Sequence, residues 1–145
     1  MSKILLLAAP RPDSNETAMH MGDGRPPMGL AYISAYVEQF DHETKIIDLY
    51  HFGGGHDDEK QKTMKASATI SHIIKNDKEF DVFGEIDKYE PDFIGMYLGT
   101  ISYYEGTALA QQIKQKHPNI PTMVGGPQAI ELPHTLIEYF DYVVC

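Results

Sequence analysis

The groups in this chain best suited to do chemistry are main-chain ones. Pro121-Thr-Met-Val-Gly-Gly-Pro-Gln128 is a short apolar run that stops at two glycines. Glycine lets a backbone approach a ligand closely or adopt positive φ. In open α/β sheets, ligands bind just outside the carboxyl ends of the strands. Gly125 and Gly126 therefore mark a binding surface, with Pro127 and Gln128 behind them. Gly126 is expected to lie so close to a ligand that any side chain there collides with it. A second such place follows Lys3-Ile-Leu-Leu-Leu-Ala-Ala-Pro10, where the chain reaches Arg25-Pro-Pro-Met-Gly29. Flat backbone with a few polar groups suits a large, mostly apolar ligand.

The side chains offer less. Cys145 is the single cysteine, so neither an internal disulfide nor a cysteine-held iron–sulfur cluster can form within this chain. A reducing compartment, the cytoplasm, fits that count. His51 and His56 flank three glycines ahead of Asp57 and Asp58, a spacing that matches no common metal site. They read as a solvated loop, as does His20 between Met19 and Met21. No GxGxxG follows the first strand and no GxSxG occurs anywhere. A phospho-receiver is disfavoured too, because the third strand ends in Tyr97-Leu98 without an acceptor aspartate.

Strand-length apolar runs alternate with longer helical patterns, the signature of βα units and a parallel sheet. Strands are expected at Lys3–Ala9, Thr44–Leu49, Asp92–Leu98, Thr122–Val124 and Asp141–Cys145. Helices are expected at Met28–Phe40, Glu59–Lys75, Val82–Tyr89, Tyr104–Lys116 and Pro133–Phe140. Leu30, Ile33 and Val37 would share the inner face of the first helix; Leu109 and Ile113 would point inward from the fourth. Pro26 and Pro27 suit a helix start, and Pro91 and Pro118 suit stops. The irregular stretch from Pro10 to Pro27 is long for a βα loop, and such loops are often functional.

The 145 residues suit one domain, and 42% hydrophobic content argues against global disorder. A formal charge of −9 argues against nucleic acid as a partner. Ile4–Ala9 is too short to cross a membrane. The fifth strand runs to Cys145 with no helix after it, so one face of the sheet lacks its cover. Tyr142 and Val144, or else Val143 and Cys145, should be left exposed. The expectation is a partner over this side: a downstream domain of a larger protein, or a second copy.

Several of these pieces fall in one order. Lys3-Ile-Leu-Leu-Leu, Pro26-Pro-Met-Gly-Leu-Ala-Tyr-Ile-Ser, Ile46-Ile-Asp48, Pro91-Asp-Phe-Ile-Gly95, Pro118-Asn-Ile-Pro-Thr-Met-Val-Gly-Gly-Pro127 and Asp141-Tyr-Val-Val144 are its parts. Their order and spacing resemble the N-terminal cobalamin-binding domain of cobalamin-dependent radical-SAM enzymes. The resemblance covers nearly the whole chain, apart from roughly His51 to Phe80. It implies a flavodoxin-like, doubly wound α/β fold with five parallel strands in the order 2-1-3-4-5, here without the last helix. It also implies a corrinoid over the carboxyl ends of the strands. The iron–sulfur cluster and S-adenosylmethionine would belong to a downstream domain.

Carried over position by position, the ligand loops are Pro10, Arg11, Pro27, Met28 and Gly29 after strand one. After strand three come Leu98, Gly99, Thr100, Ile101 and Ser102, with the Thr100 hydroxyl a donor to an amide. After strand four come Gly125, Gly126, Pro127 and Gln128. The related methionine-synthase-type domains carry DxHxxG, whose histidine ligates cobalt. Around His20 the matching positions hold Ala18 and Asp23, so no protein histidine ligand is expected. Those domains also have serine and leucine after strand three, where Tyr97 and Gly99 stand here. The rival readings are a degenerate domain of that family that packs without ligand, and a flavin protein. Asp13-Ser-Asn-Glu-Thr17 supplies hydroxyls for a phosphate but lacks the glycine pattern of a phosphate loop.

Overall fold

A computed structural model describes residues 1–10, 27–49 and 81–145. Five parallel strands form one sheet in the order β2-β1-β3-β4-β5. They are β1 Lys3–Ala8, β2 Glu43–Asp48, β3 Phe93–Tyr97, β4 Thr122–Gly125 and β5 Tyr142–Val143. Among the described residues four α-helices accompany them: α1 Met28–Val37, α2 Val82–Tyr89, α3 Tyr103–Lys116 and α4 Pro127–Glu131. The flavodoxin-like expectation holds. The helix expected over Glu59–Lys75 lies outside the described residues.

Period-2 alternation sorts each strand between two faces. On one face Leu5, Leu7, Ile47, Ile94, Met96, Leu98 and Val124 form the main core with residues of α2 and α3. Val82, Phe83 and Ile86 come from α2; Leu109, Ala110 and Ile113 come from α3. The Asp81 carboxylate starts α2 by accepting from the Gly84 amide at 2.8 Å, a standard N-cap. Helix α2 ends at Glu90, whose left-handed φ of 51° returns its amide to Ile86 O.

The other face is smaller. Leu6, Ala8 and Leu30 are buried together there, with Ile4 and Ile46 alongside. Only Leu30 of α1 is buried, and Ile33 is 49% exposed, contrary to expectation. The reason is the helix's position over the β1–β2 side of the sheet. There Ser34 turns toward β2 and pairs with the Thr44 hydroxyl, leaving Ile33 on a flank with no strand beneath it.

Two other expectations change. Pro133 opens only a single 3-10 turn, Pro133–Thr135, while the helix sits earlier at α4. Pro127 at N1 with its preset φ explains that start. The last strand is two residues long, anchored from its N-terminal side. Asp141 accepts from the Thr122 amide at 2.8 Å and from its hydroxyl at 2.9 Å, and pairs with Lys114 at 2.9 Å.

Candidate functional site at the carboxyl end of the sheet

The ends of β1, β3 and β4 are stitched together. The Ala9 amide donates to Tyr97 O at 3.0 Å, and the Leu98 amide donates to Gly125 O at 2.9 Å. The Gln128 amide donates back to Leu98 O at 3.2 Å, so Leu98 is gripped on both sides of the Gly-Gly turn. These bonds bring the loops after strands three and four into one surface. Leu30 packs with Ala8, which sets the first turn of α1 beside the end of β1.

Within that frame the expected residues divide. Met28 is 54% and Ile101 40% exposed, and Gly29, Thr100 and Pro127 are also exposed. Pro27, Gly99, Gly125 and Gly126 are half-buried. Pro10 is buried, as are Leu98 at 0%, Ser102 at 2% and Gln128 at 3%. The Leu98 side chain fills the core below α3, where a Cβ on Gly106 would lie 2.2 Å from its Cδ1. Leu98 offers the surface its backbone alone. Arg11 lies outside the described residues, as do His20, His51 and His56.

The two adjacent glycines differ. Gly126 has φ 107°, a region L-residues rarely enter, and a Cβ there would stand 2.8 Å from Leu98 O and 3.0 Å from the Tyr97 ring. The collision expected of a side chain at 126 is therefore with the protein's own chain. Gly125 has ordinary φ, and a Cβ there meets nothing within 4 Å. The same holds at Gly29, inside the first turn of α1. Glycine in a helix or strand destabilises by roughly 0.5–1 kcal/mol relative to alanine. Among the described residues, neither backbone conformation nor packing explains glycine at 125 or 29. At both, a Cβ would point into open space at the carboxyl end of the sheet.

One member of the surface is not among the residues carried over from the resemblance. Tyr97 is 43% exposed, and in register with Ala8 and Gly125 it lines the less-covered face. The alternation Phe93, Gly95, Tyr97 against buried Ile94, Met96, Leu98 carries that signal. Behind Thr100–Ser102, Glu105 sits in the first turn of α3 with Oε2 buried and unpaired. Burial holds its carboxyl above the ordinary range, against a lowering bond from its own backbone amide.

The B12 binding domain model matches residues 21–145. The chain belongs to the B12-binding domain family. An uncharacterized methyltransferase of Pyrococcus horikoshii is 28% identical over 131 residues, 90% of this chain and 23% of the relative. The chain thus spans less than a quarter of that relative's length. No solved structure matches it. For a B12-binding domain the fit is favourable: bare backbone facing open space at Gly125 and Gly29, exposed apolar Met28 and Ile101, and the Thr100 hydroxyl. Among the described residues no three His, Cys, Asp or Glu side chains gather as a metal site. Nor is any helix among them long and apolar enough to cross a membrane.

Proposed function

We propose that this single domain, residues 1–145, is a cobalamin-binding module of a radical-SAM methyltransferase in the cytoplasm. The observation that carries the reading is the open space before the bare backbone of Gly125 and Gly29, where no described residue requires glycine. Backbone there, with Gly99 and Pro127, would receive the ring edge, and Thr100 would donate to a side-chain amide. When bound, the corrinoid supplies a transferable methyl group. The chain itself orients it and contributes no catalytic side chain. The name of the P. horikoshii relative supports methyl transfer as the setting. The half-open sheet face, with Tyr142 55% and Val144 49% exposed, is where a radical-SAM domain or a second copy would close the fold.

A packing module without ligand is the second reading, favoured by the internal cause of glycine at position 126. Incubation with hydroxocobalamin, desalting and a visible spectrum separate the two. Retained corrinoid colour is expected, and colourless protein at micromolar concentration would reject the first reading.

A further inference from the structure

Gln128 stands just past the Gly-Gly turn, 3% exposed, with its side chain used inside the fold. Its Nε2 donates to Thr135 Oγ1 at 3.2 Å, while Oε1 is buried with no donor. Thr135 Oγ1 donates onward to Leu132 O at 2.7 Å. The Thr135 carbonyl accepts the Tyr103 hydroxyl at 3.3 Å. Tyr103 opens α3 immediately after Thr100–Ser102. A chain of bonds therefore runs from the loop after β4, through Gln128 and Thr135, to the end of the loop after β3. The Gln128 amide closes the circuit on Leu98 O.

We propose that Gln128 is a positioning residue that locks these two loops into one rigid shelf. It acts on a ligand through Gly125 and the Leu98 backbone without touching it. The ligand half of this inference rests on the cobalamin-binding reading above. Glutamine fits its own surroundings poorly, and that is the argument. An apolar side chain of similar length gives up the bond to Thr135, whose hydroxyl keeps Leu132 O, and removes the cost of an unpaired buried carbonyl, so the two effects should offset. Burial alone does not favour an amide here. What only the amide supplies is the Nε2 donor that ties α4 to the Pro133–Thr135 turn.

The test compares the whole chain with Gln128→Met and Gln128→Glu. Gln128→Met should melt at the parent temperature or above it. Its amide exchange should quicken by about tenfold in both 98–100 and 125–128. Hydroxocobalamin retention should weaken by about tenfold, or about 1.4 kcal/mol. Gln128→Glu should bind as the parent does at acid pH, where the protonated carboxyl still donates to Thr135, and lose affinity once it ionises. Faster exchange in one loop only, or in neither, overturns the proposal. So does a Gln128→Met protein that is less stable yet binds as before. If the parent retains no corrinoid, the cobalamin reading fails, and the exchange result still decides whether the loops are coupled.

Discussion

The two faces of the sheet differ in what closes them. One is sealed by α2 and α3, with Leu5, Leu7, Leu98, Leu109, Ile113 and Val124 at 0% exposure. Among the described residues the other carries α1 alone, over β1 and β2. Exposure on it rises across the strands, from Leu6 at 5% to Tyr142 at 55%, and Phe93 and Tyr142 face each other at 6.4 Å between ring centroids. A parallel sheet is normally covered on both faces. The sealed face holds the fold together, and the half-open face together with the carboxyl-end loops is where the ligand and a partner are proposed. The glycine pair repeats that contrast on a smaller scale. Gly126 answers to the fold, and Gly125 answers to nothing among the described residues.

The largest effect should come from the sealed face. Leu109→Ala leaves a cavity in the main core and should cost about 2–5 kcal/mol in urea unfolding. A loss under about 1 kcal/mol would mean that this core is not the mainstay. Next comes Gly126→Ala. Its backbone, at φ 107° and ψ −176°, costs an alanine roughly 1–3 kcal/mol, and the contact with Leu98 O adds to that. Thermal melting should show the loss with or without corrinoid, and a change in affinity alone would reverse the assignment.

Asp141 gives a smaller, pH-dependent effect. The Lys114 ammonium, with the Thr122 amide and hydroxyl, holds its carboxyl below the ordinary range against a raising effect of burial. A depressed folded pKa gives stability that is present above the unfolded value of about 3.9 and lost as pH falls through the folded one. The pair is more than a third exposed, so the contribution should stay below about 1 kcal/mol. Asp141→Asn should flatten the acid limb of the stability profile, and an unchanged limb would show that the anchor is unimportant. Smallest is Tyr142→Ser on the half-open face, within about 0.5 kcal/mol. Its sedimentation over a concentration series should show less self-association than the parent if a second copy covers this face.

Much of the architecture was legible because apolar runs and stops coincide. Lys3–Ala8 and Phe93–Tyr97 announce themselves as strands, and Leu109 and Ile113 point inward at helical spacing. Ile33 misled because periodicity shows which residues share a face, not how much of the sheet lies beneath it. Helix α4 was hidden because Gly-Gly-Pro reads equally as a loop, although Pro127 at N1 held the clue. Of the candidate surface, the placement of Met28, Gly29 and Thr100 beyond the strand ends was readable from order and spacing. The different reasons for Gly125 and Gly126 were not, since they depend on φ and on where Leu98 O lies. The inward use of Gln128 depends on Thr135, seven residues away along the chain.

The central claim is that a corrinoid rests where Gly125 has no side chain. Gly125→Leu should put a side chain into that space from a Cβ that meets none of the described residues within 4 Å. Measured beside the parent by hydroxocobalamin retention and thermal melting, it should lose at least about tenfold in affinity at an unchanged melting temperature. A parent that retains no corrinoid, or a Gly125→Leu protein that retains it as well as the parent does, would contradict the account.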